Sequence, residues 1–142
     1  HEIIPDRIEA GTFLACSAVT RSDLLLKAVE MKHIESIADA MRRMGCLIEP
    51  VGNSSVRVSS PSQLRSIDLE TGPYPEFPTD MQPMLTSMMA LAQGRSTMAE
   101  RIFENRMNHL GELRKMGARV LVHPKPNGAG ATVALIDGVD RL

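Results

Sequence analysis

Apolar and polar positions along the chain follow two different periods. The segments Asp6 to Val19 and Asp80 to Ala92 are apolar on nearly every side when drawn as helices, a pattern typical of buried helices. Between about Lys32 and Met44 the apolar residues recur every three or four positions, which predicts an amphipathic helix. Its apolar stripe consists of Ile34, Ile37, Ala38, Met41 and Met44. Short runs such as "SVRVS" and "ARVLVH" alternate with a period of two and predict strands.

The predicted elements occur twice in the same order. "RRMGCLIEP" at Arg42 to Pro50 resembles "RKMGARVLV" at Arg114 to Val122, 72 positions later. "IPDRIEAGTFLACSAVT" at Ile4 to Thr20 resembles "FPTDMQPMLTSMMALAQ" at Phe77 to Gln93, 73 positions later. A period of this length indicates duplication of one supersecondary unit rather than a solenoid of short repeats.

Each copy predicts the element order β-α-β-α-β-β. Its first strand is "EII" near the start of the chain or "SIDLE" at Ser66 to Glu70, and its middle strand is "LLLKAV" or "STMAERI". Gly45 and Gly117 follow the second helix of each copy, where a helix end favours a left-handed residue. The second helix of the later copy has Met107, Leu110 and Leu113 on one face. Two strands close each copy, and the loop "NGAGA" at residues 127–131 predicts a hairpin turn.

The two units predict an α/β (α+β) fold with helices inside and sheets outside, since a helix that is apolar all round must be covered on every side. We expect a first unit at residues 1–70 and a second unit at residues 71–142, which together form part of one globular domain.

Composition narrows the class of protein. The chain has 142 residues, 43% apolar and 23% charged, which is typical of a soluble globular protein. A net charge of -1 and 3% aromatic residues give no reason to expect binding to nucleic acid or to a membrane surface. No signal peptide is recognisable, so we expect a cytoplasmic protein with Cys16 and Cys46 as reduced thiols in the core.

The residues alone leave the role of Asp80 open. It lies in "YPEFPTDMQPM" directly before an apolar helix, where an acid either caps the helix or faces a ligand. Glu104 and Arg106 in "FENR" are either a solvated pair at the start of a helix or the polar lining of a site. His109 and His123 are isolated and have no spacing that indicates a metal site.

Four segments resemble one enzyme family over essentially the whole chain. "IPDRIEAGTFL", "PYPEFPTDMQ", "IFENRMNHLGELRKMGA" and "IDGVDRL" are similar to the second half of UDP-N-acetylglucosamine enolpyruvyltransferase, also called UDP-N-acetylglucosamine 1-carboxyvinyltransferase. The resemblance implies an inside-out α/β barrel of six β-α-β-α-β-β units, of which this chain holds two. It therefore also predicts that the chain is a piece of a longer enzyme.

That family transfers the enolpyruvyl group of phosphoenolpyruvate to the 3-hydroxyl of UDP-N-acetylglucosamine, the first committed step of peptidoglycan synthesis. The resemblance implies that Asp80 is the base at the sugar hydroxyl and that the backbone of Ile102 contacts the nucleotide sugar. Thr79 would lie beside the sugar, and Glu104 and Arg106 would line the space between two domains. The residues that align less firmly with the family's site are Asp6 and Arg7, and Glu76 adds a charge where the family has a small residue.

The resemblance implies no cofactor and no metal, and it assigns the acid and most phosphate-binding groups to the missing domain of the same enzyme. The chain by itself is therefore expected to be inactive. Two alternatives remain: a non-catalytic scaffold or binding module of two repeats, and a relative of the 3-phosphoshikimate enolpyruvyltransferase.

Overall fold

The computed structural model of the protein describes residues 1, 3–123 and 131–142. The helices are α1 (Arg7–Thr20), α2 (Met31–Arg43), α3 (Gln82–Ala90) and α4 (His109–Lys115), and a short 3₁₀ turn at Thr79–Met81 leads into α3. The strands are β1 (Asp23–Lys27), β2 (Leu47–Val51), β3 (Ser55–Ser59), β4 (Asp68–Glu70), β5 (Arg95–Glu100), β6 (Arg119–His123) and β7 (Thr132–Asp137).

The two sheets show the duplication directly. The first sheet has the order β1-β3-β2 and the second the order β4-β5-β7-β6. In each sheet the last strand of the unit lies in the middle and pairs antiparallel with its neighbours, β3 with β1 and β2, and β7 with β5 and β6. The predicted repeat is therefore also a repeat of topology, and β4 adds a parallel edge strand beside β5. Division of the chain at residue 70 stays a prediction.

The predicted first strand "EII" is absent from the described residues. Ile3 and Ile4 have no regular structure and are 87% and 71% exposed, and Glu2 lies outside the described residues. A strand is stabilised by a paired edge and a covered face, and these two side chains have no covered face. Its counterpart β4 does form, because β5 supplies a hydrogen-bonding edge.

The helices lie between the sheets, as the apolar pattern predicts. α1 packs against β1 and β3 of the first sheet, α3 packs against β5 and β7 of the second, and α1 and α3 contact each other. α2 and α4 complete the helical layers against α1 and α3 respectively. The buried side chains form a single cluster that includes Leu14 from α1, Ile37 from α2 and Met88 from α3, so both units share one core.

α1 is not buried on every side, which corrects one expectation. Phe13 and Val19 are 49% and 36% exposed, and Cys16 is also exposed. The helix packs against α2, α3 and the first sheet on one side only, and no described residue covers the opposite side. Cys16 is therefore not a core thiol. Cys46 is one, and burial raises the pKa of its thiol to about 11.

Both helix ends marked by a glycine have the expected geometry. Gly45 follows α2 with a φ of 101°, and Gly117 follows α4 with a φ of 105°. These left-handed positions favour glycine because it has no Cβ. The pairing of β6 with β7 agrees with the predicted hairpin. Most of its loop, "NGAGA", falls outside the described residues.

Candidate active site

A cleft of about 210 Å³ lies where the two units meet. Arg7 at the start of α1 and His33 and Ser36 on α2 line one side. The other side comes from the segment between β4 and α3 together with one residue that follows β5. The lining residues from that side are Gly72, Pro73, Tyr74, Glu76, Pro78, Thr79, Asp80 and Ile102. Three of the predicted site residues, Thr79, Asp80 and Ile102, therefore share one cavity.

Asp80 sits in the 3₁₀ turn and points to the surface. Its side chain makes no capping hydrogen bond to the turn or to α3, so the N-cap interpretation is wrong and only its first-turn position is observed. Its carboxylate is 50% exposed and forms an ion pair with Arg106, which donates from Nη2 to Oδ1. Among the residues that the structure describes, none donates a hydrogen bond to Asp80 Oδ2. One carboxylate oxygen is thus held by Arg106, and the other has no donor in the described part of the chain.

Arg106 is fixed from a second direction. Its guanidinium carbon lies 5.1 Å from the centroid of the Phe103 ring, a cation–π arrangement that restricts the side chain. Arg106 does not line the cleft itself. It reaches the site through Asp80, 26 positions earlier in the chain.

The "FENR" segment is a loop rather than the start of a helix, which corrects the sequence interpretation. Residues 104–108 form turns, and α4 begins only at His109. Asn105 has a φ of 55°, and this left-handed backbone cannot continue an α-helix. Glu104 is exposed and is not among the residues that line the cleft.

The structure shows one buried acid beside the cleft that the sequence interpretation missed. Glu100, the last residue of β5, is fully buried. Its carboxylate accepts hydrogen bonds from the hydroxyls of Thr71 and Thr79 at 2.9 and 2.8 Å. It also accepts the backbone N–H groups of Ile102 and Phe103 at 2.8 and 3.1 Å. These four donors come from both segments that form the second side of the cleft.

The electrostatics of Glu100 follow from these contacts. Burial by itself raises the pKa of the Glu100 carboxyl, but the hydrogen bonds from Thr79, Phe103, Ile102 and Thr71 outweigh it. The pKa is therefore lowered and the ionised form is favoured. A signal was present in the sequence, because Glu100 shares the inward face of β5 with Ser96 and Met98. An acid at an inward strand position requires polar partners.

The two predicted helix-start residues of the first unit have separate roles. Asp6 caps α1 by accepting the N–H groups of Ile8 and Glu9 at 2.7 and 3.2 Å, and it does not line the cleft. Arg7 lines the cleft, as does Glu76. Glu76 lies tightly against Gly72, where an added Cβ would come within 1.6 Å of Glu76 Oε2.

Neither a metal centre nor a membrane span is found in the described part of the chain. Within residues 1, 3–123 and 131–142, no group of three or more His, Cys, Asp or Glu side chains is arranged to hold a metal ion. No helix of those residues has the length and apolar character needed to cross a membrane. The ionisable side chains that line the cleft are Asp80, Glu76, Arg7 and His33, and Arg106 adjoins them through its ion pair with Asp80.

The fold belongs to a known family of enzymes. The family model described as EPSP synthase (3-phosphoshikimate 1-carboxyvinyltransferase) matches residues 1–138, and the chain belongs to that family. An enolpyruvyl transferase from Streptomyces tendae, NikO, superposes with a TM-score of 0.74 at 24% identity, over 96% of this chain and 31% of that one. EPSP synthase from Acinetobacter baumannii superposes with a TM-score of 0.65 at 17% identity, over 95% and 29%. These two likenesses confirm the fold.

Within the family, the similar curated proteins carry a more particular name. UDP-N-acetylglucosamine 1-carboxyvinyltransferase 1 of Carboxydothermus hydrogenoformans is 42% identical over 100% of this chain and 32% of its own length. The UDP-N-acetylglucosamine 1-carboxyvinyltransferase of Prochlorococcus marinus strain NATL1A is 46% identical over 100% of this chain and 29% of its own length. The resemblance predicted from the sequence is confirmed. The chain spans about a third of these relatives.

Proposed function

We propose that the protein to which this chain belongs transfers the enolpyruvyl group of phosphoenolpyruvate to the 3-hydroxyl of UDP-N-acetylglucosamine. The observation that carries the proposal is the half-exposed Asp80 carboxylate, held by Arg106 at a cleft that Thr79 and Ile102 also line. The names of the relatives that match the whole chain favour the same substrates. In this proposal the cleft receives the sugar part of the nucleotide sugar.

Asp80 is the proposed base. The 3-hydroxyl loses its proton to Asp80 as its oxygen bonds to C2 of phosphoenolpyruvate, while C3 gains a proton. A base in the rest of the enzyme then takes a proton from C3. The electrons of that C–H bond restore the double bond between C2 and C3, and phosphate leaves with the electrons of the breaking C2–O bond. Arg106 holds Asp80 Oδ1, so Oδ2 is the oxygen placed to accept the hydroxyl proton. A positioned general base typically contributes roughly 100- to 10,000-fold to the rate.

The residues of this chain supply only part of that reaction. Arg7, Glu104 and Arg106 are the polar groups proposed to face the rest of the enzyme, which would supply the acid and the main phosphate-binding cations. The proposed reaction places the protein in the cytoplasm, at the first committed step of peptidoglycan synthesis and hence of cell-wall growth and division. This placement depends entirely on the proposed substrates.

The test is Asp80→Asn in the full-length protein, with phosphate release from phosphoenolpyruvate and UDP-N-acetylglucosamine as the assay. Asn keeps the shape of the side chain but is not basic, so we expect turnover to fall at least about 100-fold. Asp137→Asn is the matched control, because Asp137 is also a partly exposed acid paired with an arginine, Arg95, and lies outside the cleft. We expect the control to keep its turnover. Equal turnover in wild type and Asp80→Asn would refute the role of Asp80.

A competition experiment separates the other candidates. The matching family model is named for 3-phosphoshikimate, so shikimate 3-phosphate is the specific competitor to test against UDP-N-acetylglucosamine. Binding of UDP-N-acetylglucosamine that shikimate 3-phosphate does not compete away supports the proposal. Binding of shikimate 3-phosphate without binding of UDP-N-acetylglucosamine would replace the proposed reaction with the shikimate reaction. Binding of the nucleotide sugar without phosphate release would favour a binding module.

A further inference from the structure

We infer that Glu100 is the positioning residue of this site: its buried carboxylate holds the turn that carries Asp80 and the loop that carries Arg106 in one fixed relation. The inference deepens the proposed function, on which it rests for the meaning of Asp80. The hydrogen bonds from which it is argued all lie within this chain.

The two carboxylate oxygens divide the donors between them. Glu100 Oε1 accepts the Thr71 hydroxyl and the N–H groups of Ile102 and Phe103. Glu100 Oε2 accepts the Thr79 hydroxyl at 2.8 Å and, at 3.5 Å, the side-chain amide of Gln82. One oxygen therefore fixes the loop after β5, and the other fixes the 3₁₀ turn before α3.

The two residues that Glu100 holds, Thr79 and Phe103, are each next to one member of the Asp80–Arg106 ion pair. Thr79 immediately precedes Asp80, and Phe103, whose N–H is held, packs its ring on the Arg106 guanidinium. No regular hydrogen-bonded ladder joins the turn to this loop. Besides the Asp80–Arg106 ion pair itself, Glu100 is thus a direct polar link between the two chain segments that carry these residues.

An ionised carboxylate suits this place. It has acceptors and no donors, and each of its five partners donates to it. A glutamine would place its N–H₂ either at the Oε1 position, where it faces the Ile102 and Phe103 N–H groups, or at the Oε2 position, where it faces the Thr79 hydroxyl. The first leaves two buried backbone donors facing a donor, and the second requires the Thr79 hydroxyl to accept a hydrogen bond instead of donating one. The acid is fully buried, so water does not relieve the mismatch.

The same contacts restrict how a ligand binds at Ile102. The Ile102 N–H is already donated to Glu100 at 2.8 Å. A nucleotide sugar therefore contacts the Ile102 carbonyl or its side chain, which is 38% exposed, and not its N–H. This narrows the backbone contact that the sequence resemblance implies.

The experiment compares Glu100→Gln with Ser96→Ala in the full-length protein. Ser96 is buried on the same face of β5 and accepts the Ile67 N–H at 3.2 Å, so its loss is a matched structural defect away from the site. In the ligand-free protein we expect Glu100→Gln to shift the amide protons of Ile102 and Phe103 upfield and to move the Asp80 carboxyl carbon resonance. We expect Ser96→Ala to leave all three unchanged.

With substrates, Glu100→Gln is expected to lower kcat by roughly 10- to 100-fold, the usual effect of a misplaced catalytic group, while Ser96→Ala lowers only the melting temperature. Thr79→Val decides the matter if Glu100→Gln does not fold, because it breaks only the bond between Glu100 and the turn and should also move the Asp80 resonance. An unmoved Asp80 resonance in Thr79→Val would overturn the inference. The ligand-free spectra need no substrate, so they remain decisive even if the proposed transferase reaction is wrong.

Discussion

At the scale of single residues, the two units use equivalent positions for different purposes. The offset of 73 pairs Asp6 with Thr79 and Arg7 with Asp80. Asp6 caps α1 through two backbone N–H groups, whereas the Thr79 hydroxyl donates to Glu100. The helix of the second unit accordingly starts with a 3₁₀ turn and without a side-chain cap. In the second unit the side chain at the capping position therefore binds Glu100 instead of capping the helix.

The cap of α1 gives a prediction at this scale. Asp6→Ala removes the acceptor of the Ile8 and Glu9 N–H groups, so we expect the free energy of unfolding to fall by about 1 kcal/mol. Asp6→Asn keeps an acceptor of the same shape and is expected to stay within a few tenths of a kcal/mol of wild type. Denaturation in guanidinium chloride measures both. An equal loss in both variants would assign the stabilisation to the charge near the helix dipole and not to the hydrogen bonds.

At the scale of elements, the second helix is shorter in the second unit than in the first, and the residues missing from it form the loop that carries Arg106. α2 has 13 residues and α4 has 7. With the repeat offset of 72, the first six positions of α2 correspond to residues 103–108. In the second unit these residues form the loop with Phe103 and Arg106. Met107 is buried in that loop just as Leu110 and Leu113 are buried in α4. Apolar spacing therefore predicted the buried face and could not show where the helix begins.

Two helical glycines give a prediction about packing between elements. A Cβ on Gly11 of α1 would lie 2.8 Å from the Met81 side chain and 3.1 Å from Ile37, whereas a Cβ on Gly111 of α4 would meet nothing within 4 Å. Gly111→Ala should stabilise the protein by about 0.5–1 kcal/mol, since alanine favours a helix. Gly11→Ala should lack this gain, because the added methyl must displace the fully buried Met81. Unfolding free energies of the two variants test this, and equal gains would contradict the close approach of α1 to the 3₁₀ turn.

At the scale of the whole molecule, sheet, helices and second sheet are stacked around one core that both units share. The cleft lies at their junction and takes Arg7, His33 and Ser36 from one unit and Asp80 from the other. His109, the first residue of α4, joins α4 to α3 through a 2.9 Å hydrogen bond between Nε2 and the Thr86 hydroxyl. This polar contact links the two helices of the second unit in addition to their apolar packing.

This arrangement predicts how stability depends on pH. Burial lowers the pKa of His109, against a hydrogen bond with the Arg106 backbone that raises it. The unfolded chain then binds a proton near the ordinary value of 6.5 while the folded protein does not. Stability should thus be full above that value and fall as the pH drops through the folded pKa, with a slope of at most about 1.4 kcal/mol per pH unit.

The measurement is the free energy of unfolding between pH 7.5 and pH 5.5, in wild type and in His109→Gln. The variant should lose this part of the pH dependence. A second decline is expected at lower pH, below the ordinary value of 4.5 for a glutamate, because the pKa of Glu100 is lowered in the folded protein. A wild-type profile that is flat from pH 7.5 to pH 5.5 would contradict a lowered pKa of the half-buried His109.

The sequence by itself determined the duplication, the order of the elements after the predicted first strand and the apolar faces of the helices. These features follow from local periodicity and from glycines such as Gly45 and Gly117, whose backbone geometry is a local property. Only the tertiary structure decided that α1 keeps an exposed side, that "FENR" is a loop and that Glu100 joins the two walls of the cleft. The contacts that Glu100 and Asp80 make with other side chains span 18 to 29 positions. Such contacts depend on how the sheets and helices stack, and no periodicity along the chain records that.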